Sequence, residues 1–409
     1  MQKQIFIPLI LISMMPWTAH AETTLEQAID MAKQHPKLHM AELNQDASYA
    51  SWLASSSYAY NPELSIEVQE RKLNGGGQDT DYYIGLSQGI ETGGKRHYRE
   101  QAAKASLQSS QLQAETLRQT LIADAARAFV LLYEAEQILS IRTQQSRLLL
   151  KLHQGVQKQL QVGDANILQA NLAAASYASA LSALTQARQD YTLARNAYYQ
   201  ATGKFDDAEI HPSLPKLNTH WQPPKNAYEL AIQARPELAE LKARAKKGQA
   251  QAELANASRY VDPTLSIMSG REAGEQLFKL GISFPIPLTN SKKEAYKASL
   301  AQAEISQSQV LWFEKQLQSE VRSALDNHQD AMMALRVFER QQTNDNSIQL
   351  AQSAFEAGEL SLEDLVLHIN QALDAKLTML NLTKQGWLAR IQLAQTLGHP
   401  EYILQGIKP

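Results

Sequence analysis

Four carboxylates, Glu356, Glu359, Glu363 and Asp364, crowd one short stretch around Gly358. Carboxylates gathered at a turn can ring a narrow opening and draw cations toward it, more strongly at low salt. They read equally as solvated acids, with Glu363 and Asp364 favoured in the first turn of a helix, whose positive dipole end they offset. Catalytic chemistry has no comparable nucleus. The chain holds no His-Glu-x-x-His, no Gly-x-Ser-x-Gly and no Gly-x-x-x-x-Gly-Lys-Ser/Thr loop. Gly75-Gly76-Gly77 is followed by neither the lysine nor the helix of a phosphate loop. Of the histidines His35, His39, His97, His153, His328 and His368, only His35 and His39 have ligand-like spacing, and Pro36 between them points to surface rather than metal. There is no cysteine, which excludes disulfides, thiolate zinc sites, catalytic thiols and a lipid-modified N-terminal cysteine. The expectation is a non-enzymatic protein with no cofactor and no metal site.

The elements that carry the acidic stretch are long. Aromatics are 7% of 409 residues and the net charge is −3, with no basic cluster to engage nucleic acid. Ala, Gln, Leu and Ser dominate, the composition of long helices. Lys3, the apolar run from Ile5 to Met15 and Ala19-His20-Ala21 predict a cleaved signal peptide over 1–21. After it, no apolar run reaches the roughly 20 residues of a membrane-spanning helix; Ile122 to Leu139 is interrupted by Asp124, Arg127, Glu134 and Glu136. A membrane would have to be crossed by strands.

The chain repeats itself. Leu25-Glu-Gln-Ala-Ile29 with Pro36-Lys-Leu38 returns as Tyr228-Glu-Leu-Ala-Ile232 with Pro236-Glu-Leu238. Asn61-Pro-Glu-Leu-Ser-Ile66 returns as Asp262-Pro-Thr-Leu-Ser-Ile267, and Gly85 as Gly281. Val162-Gly163-Asp164 matches Ala357-Gly358-Glu359, and Gly203 matches Gly398. The domain reading is a first repeat over 22–203, a linker over 204–226 that Pro212, Pro215, Pro223 and Pro224 keep from being helical, a second repeat over 227–398 and a tail over 399–409.

Each repeat predicts a helix, two strands and a long helical hairpin. The strands alternate: Ile66 and Val68 oppose Ser65, Glu67 and Gln69; Tyr82, Ile84 and Leu86 oppose Tyr83, Gly85 and Ser87. Leu265 and Ile267 oppose Thr264 and Ser266, and Phe278, Leu280, Ile282 and Phe284 oppose Lys279, Gly281 and Ser283. That pattern suits a water-filled membrane barrel, and equally a sheet on a soluble core. Leu73 to Thr80 and Gly270 to Glu275 read as hairpin loops. From Gly94 to Val162 no proline interrupts a rod of about 100 Å, and Ser291 to Ala357 is comparable. The return helices are expected over Asp164 to Thr202 and Ser361 to Leu397, the second with a seam of Leu362, Val366, Ile369, Leu373, Leu377 and Leu380. Strand gives way to rod at Gly93-Gly94-Lys95-Arg96 in one repeat and at Pro285 and Pro287 in the other. No globular body is foreseen to bury the rods.

Four strands cannot close a barrel, for which about eight are the minimum. In lipid, each open edge would leave backbone groups unpaired at several kcal/mol apiece. Strands in a membrane therefore require several copies to share one barrel, and a ring of hairpins would bury each seam on a neighbour.

With the duplicated Pro-x-Leu and [Asn/Asp]-Pro-x-Leu-Ser-Ile segments and the paired glycine turns in view, the chain resembles the TolC-like outer-membrane efflux family. Gln88-Gly-Ile-Glu-Thr-Gly-Gly-Lys-Arg96 is similar to the strand-to-helix junction of CzcC-like members, which export heavy-metal cations. The resemblance implies a fold that is mainly α with a small β part: long coiled-coil-like hairpins forming an α-barrel, and four strands per chain in a shared 12-stranded transmembrane β-barrel. It implies a homotrimer in outer-membrane lipid, a periplasmic adaptor, an inner-membrane pump of the RND type, and no nucleic acid. It places adaptor-docking tips at Val162, Gly163, Asp164 and Leu168 and at Ala357, Gly358 and Leu365. It places a periplasmic gate at Asp364, alone among the family's gate acids, with Leu367 as an apolar constriction; in a trimer the crowding of Glu356, Glu359 and Glu363 at the same tip would complete an acidic ring. Positions that carry further gate residues in some relatives hold Gln169, Phe355, Leu360 and Leu367 here, so that lock is absent. The function expected is a passive export duct for heavy-metal cations. A drug or protein exporter's outer channel is the alternative within the fold. A periplasmic adaptor or scaffold would carry one hairpin between soluble β-domains, and two hairpins, each preceded by two strands, argue against it.

Overall fold

The computed structural model describes residues 22–72, 75–205, 210–340 and 347–405. The expected signal peptide lies outside the described residues. The chain opens with β1 (Thr23–Thr24) and α1 (Leu25–Ala32), then α2 (Pro36–Ser56), β2 (Glu63–Lys72), β3 (Gln78–Gly89), α3 (Lys95–Val162) and α4 (Ile167–Thr202). After β4 (Pro212–Ser213), which pairs in parallel with β1, the order returns as α5 (Ala227–Ala234), α6 (Pro236–Ala257), β5 (Thr264–Glu272), β6 (Glu275–Ser283), α7 (Lys293–Arg340), α8 (Ser347–Glu356) and α9 (Leu362–Leu397). The 68 residues of α3 span about 100 Å. The second rising rod is described as α7 and α8, on either side of 341–346. Gly163 and Gly358 turn the two hairpins with φ of +88° and +76°, a conformation that L side chains resist.

The rods pack by heptad-like seams. Ala170, Ala173, Ala180, Leu184 and Ala187 are buried along α4, and small side chains let α4 lie close on α3. This alanine-rich helix is long and apolar enough, by length and composition alone, to cross a membrane, which the reading of runs above did not register. On α9, Leu362, Val366, Ile369 and Leu373 are buried as the seam predicts, while Leu377 and Leu380 are half-buried.

The strands form one antiparallel sheet in the order β2-β3-β5-β6. Its register sets Ile66 opposite Ile84, Leu86 opposite Ile267, and Ile267 opposite Leu280. One face is thus mainly apolar, interrupted by Ser269 and Gln88, and Leu64, Ile66, Ile84, Ile267, Leu280 and Ile282 are 46–74% exposed. Nothing in the described chain covers it. The other face carries Ser65, Ser87, Ser266 and Ser283, and it is tight: a Cβ on Gly85 would lie 2.5 Å from Ser65 Oγ. The second hairpin corrects the expected loop. β5 and β6 run on to a two-residue turn at Ala273 and Gly274, both at positive φ, and Gly270 lies within β5, where a Cβ would collide with Tyr82 O. Asp81, fully buried, secures this end by accepting from Arg71 Nη2 at 2.5 Å and from Ala273 N at 2.8 Å.

The joint between sheet and rods is built from both repeats. Gly93 and Gly94, at φ +69° and +74°, bring Lys95 into the first turn of α3. Lys95 Nζ donates to Asp262 Oδ1 and to Tyr260 O, both at 2.7 Å. Asp262 also accepts from Thr92 N and from the Tyr60 hydroxyl, each at 2.8 Å. Burial alone would raise the Asp262 carboxyl, but the Lys95 ammonium, the Thr92 amide and the Tyr60 hydroxyl outweigh it and hold the group below its usual range. Arg99 grips both oxygens of Glu91, holding that carboxyl low, and donates to Ser55 O and Ser57 O. Arg96 donates to Ser56 O and lies 4.9 Å over the Tyr58 ring. The second junction is bare by comparison: Phe284, Pro285, Ile286, Pro287 and Leu288 are all exposed.

A central body exists after all, correcting the expectation of rods without one. Leu25, Ile29, Phe129, Leu132, Tyr198, Trp387 and Ile391 form the largest apolar cluster, joined by Ile210 and Leu217 of the linker and Ile403 of the tail. The Ile122 to Leu139 stretch that reads as a broken span is the α3 side of this core. Buried Arg390 ties the tail down, donating to Tyr402 O and Gln405 O at 2.6 Å each with its guanidinium 3.1 Å from the Trp221 ring centre. Burial, and then the Arg390 charge, push His328 down to about 4, so it stays neutral here at neutral pH.

Replacing Lys95 with Met leaves Asp262 charged, largely buried and short of its counter-charge. The expected loss is about 2–4 kcal/mol of unfolding free energy at neutral pH. Because the folded Asp262 pKa is lowered, its stabilisation is complete above the ordinary aspartate value of about 4 and fades as pH falls through the folded value. Denaturant melts of the extracted protein should show the gap between wild type and variant closing in acid. A gap that is absent, or independent of pH, would mean that the pair does not hold the joint.

Candidate functional site: the hairpin tips

The two tips are built alike and furnished differently. At the first, α3 ends at Val162, Gly163 turns the chain, and Asn166 caps α4 by accepting from Gln169 N while the Gln169 side chain accepts from Asn166 N. Gln169 is engaged in this cap. Around the turn Val162, Ile167 and Leu168 are 72%, 61% and 74% exposed, with Asp164 beside them. The first tip is therefore an apolar knob. Ile167, three residues past Asp164, escaped the sequence reading, although an isoleucine at the start of a helix whose first half buries mostly alanines is a signal for it.

At the second tip Gly358 turns the chain, and Ser361 caps α9 by accepting from Asp364 N at 3.1 Å. The Ser361 hydroxyl in turn donates to Asp364 Oδ2 at 2.7 Å. Glu356, Ala357, Glu359, Glu363 and Asp364 are all exposed. Four acids thus surround this turn, one of them held by the cap. Leu365 does not stand with the docking residues. It is 2% exposed and packed with Leu149, Ile369 and Leu373, because it shares the inward stripe of α9. At about 100° per residue, Asp364 lies roughly 200° round from Leu362, opposite that stripe, and Glu363 only about 100°. Leu367, a turn beyond Asp364 on the same outward side, is 53% exposed. Between the tip ends of α3, α8 and α9 lies a groove of about 330 Å³ lined by Gly155, Val156, Phe355, Glu356 and Leu365.

Among the described residues no three His, Cys, Asp or Glu side chains gather as a metal set. His39 is exposed, but His35 is buried, correcting its surface placement: its Nδ1 accepts from Lys37 N and its Nε2 lies 3.1 Å from Gln200 O, so it caps α2 against the end of α4. The tips offer charge and apolar contact and hold no group arranged for bond-making.

Residues 29–204 match the family model of the Outer membrane efflux protein. Among solved structures the fold matches that of CusC, known from crystal structures of its folding and transmembrane channel formation, at 18% identity over 93% of this chain and 93% of that one, with a TM-score of 0.75. It matches the outer membrane protein VceC from Vibrio cholerae at 17% identity over 92% and 96%, TM-score 0.74. It also matches the open state of the MtrE outer membrane channel of Neisseria gonorrhoeae at 18% identity over 92% and 89%, TM-score 0.73. A comparison with curated protein sequences finds no match. The chain is thus similar to outer membrane efflux proteins over residues 29–204, and it shares the fold of outer-membrane channels over more than nine-tenths of its length.

Proposed function

We propose that the protein is the outer-membrane duct of a tripartite exporter, carrying heavy-metal cations passively from the periplasm. The observation that carries the duct is the sheet: a wide apolar face left open to its surroundings, a small polar face behind it, and two rods hung from its lower end. A face of that kind is stable in hydrocarbon and costly in water. Three copies would complete a barrel of 12 strands. The cation reading draws support from the junction motif that includes Gly93, Gly94, Lys95 and Arg96, and from the acids of the second tip. A drug exporter's channel is the other reading of this fold.

A strain lacking the protein tests both levels. It should become sensitive to one or more heavy-metal cations, and sensitivity to drugs alone would transfer the assignment to the drug reading. Complementation then probes the sheet. Lysine at Ile66, Ile84 or Ile282 should fail to restore tolerance, at a cost of about 2–4 kcal/mol near mid-membrane depth, while lysine at Ser65 or Ser283 should restore it. Equal tolerance on both faces would remove the barrel.

The tips are the proposed docking points for a periplasmic adaptor, Val162, Gly163, Asp164 and Leu168 at one and Ala357, Gly358 and Glu359 at the other. An inner-membrane pump of the RND type would complete the assembly. Cysteines at Asp164 and Glu359, in a chain that has none of its own, should crosslink to the adaptor in cells. Crosslinks confined to positions far from the turns would discard tip docking.

The second tips would form the gate. Four acids from each of three copies place up to about twelve carboxylates round one opening, which favours cations at low salt. Asp364 leads, since it points away from the packed stripe of α9, and Leu367 beyond it would narrow the passage. Asp364→Asn should lower the cation selectivity of the channel in planar bilayers at low salt and weaken block by multivalent cations, with Glu363→Gln doing less. Unchanged selectivity in the Asp364 variant would leave the residue with its capping role alone.

A further inference from the structure

Away from the tips, the central body holds an opening that the export reading leaves unused. Asn218 accepts from His220 N on its side chain and from Trp221 N on its carbonyl. Beyond it the linker runs extended through Pro223 and Pro224, whose fixed φ and missing amides keep it from coiling. It passes α7 without closing on it. A cavity of about 590 Å³ lies between the two, a size that small organic ligands fill. Leu325, Met332 and Arg336, seven and four residues apart, fall on one face of α7 and form one wall. Pro223, Pro224 and Trp221 form the other.

Trp221 is fixed from several sides. The Arg390 guanidinium lies 3.1 Å from its ring centre, and the rings of His328 and Tyr402 stand 5.4 Å and 6.0 Å away. A wall already held in place loses little freedom when something packs on it.

The charges around the cavity are unbalanced. Lys225 and Arg336 line it with Asp326, and among the described residues none of the three has an ion-pair partner. Arg336 commits only its Nε, to Met332 O at 3.3 Å, and keeps its outer nitrogens for another acceptor. Behind Trp221 stands Arg390, 2% exposed, whose hydrogen bonds go to the carbonyls of 402 and 405 and not to a carboxylate. Burial, and then the Arg390 charge, hold His328 neutral in the cavity lining, so it adds no charge at neutral pH. A cation, the cargo of the duct reading, has the wrong sign for this place.

We propose that the cavity binds a small aromatic carboxylate, with its ring on Trp221, Leu325 and Met332 and its charge between Lys225 and Arg336. Arg336 offers the planar fork that matches a carboxylate, and Lys225 adds a mobile ammonium at the rim. The linker joins the two repeats and α7 is a rod of the second, so an occupied cavity would clamp one to the other. The site depends on the central body alone and stands or falls separately from the duct reading.

Isothermal titration of the extracted protein in neutral detergent tests the site, with naphthoate as the probe, naphthamide as its uncharged counterpart and protein-free detergent as the blank. The carboxylate should bind saturably, one per chain, and the amide about tenfold more weakly. Lys225→Gln with Arg336→Gln should lower affinity for the carboxylate about tenfold and leave that for the amide unchanged. Asp326→Asn should raise affinity for the carboxylate, and added salt should lower it in the wild type. Equal binding of acid and amide, uptake no greater than the blank, or full carboxylate affinity in the double variant would overturn the site. Should the double variant lose both ligands, Asp326→Asn decides: a carboxylate affinity that fails to rise overturns it as well.

Discussion

Asp262 stands between two bodies with opposite demands. Above it the sheet shows an apolar face; below it run helical rods that bury their seams and wet their outsides. The aspartate belongs to the second repeat, yet it accepts from Thr92 and Lys95 at the head of the first repeat's rod and from Tyr60 at the foot of β2. One carboxylate therefore sets the angle at which strands become helices, and the two glycines at 93 and 94 provide the left-handed backbone that lets Lys95 reach it. If that angle were loose, the register of the sheet and the positions of tips about 100 Å away would vary together, since a small rotation at the joint is multiplied by the length of the rod.

What the sequence discloses follows from how local the rule is. Alternation in Ile66 and Val68, or in Leu280 and Ile282, is a property of adjacent residues, and the faces it predicts are those observed. The glycines at 163 and 358 announce their turns because only their own backbone has to be satisfied. The central body was hidden for the opposite reason. Trp387, Phe129 and Leu25 lie far apart in the chain, and nothing near Arg390 in sequence reveals that its guanidinium reaches the carbonyls of 402 and 405. Leu365 shows the limit within one turn of helix. Its neighbours suggest an exposed tip, but helical phase puts it on the seam. His35 likewise reads as surface until the end of α4 is laid against it.

The duplicated architecture is used unequally. Both repeats keep their folding instructions, namely the caps, the prolines that open α2 and α6, and the glycine turns, while the residues that face partners have diverged. One tip is apolar and the other acidic. One junction is pinned by salt bridges, and the other leaves Phe284, Ile286 and Leu288 uncovered. One long helix is enclosed on two sides and its counterpart on one. Divergence concentrates where a chain ends its own packing, because substitutions there are not checked by the internal core.

The two free edges of the sheet bear on the life of the newly made chain. A lone copy carries an uncovered apolar surface and the unpaired backbone groups of β2 and β6, so it suits neither water nor lipid. On the shared-barrel proposal, entry into the bilayer and recruitment of further copies would become one event, whose rate climbs steeply with the number of chains present and whose reverse is slow once the edges are sealed. Under that proposal the abundance of the protein in the membrane would depend as much on how long a copy survives unpaired as on how stable the complete assembly is.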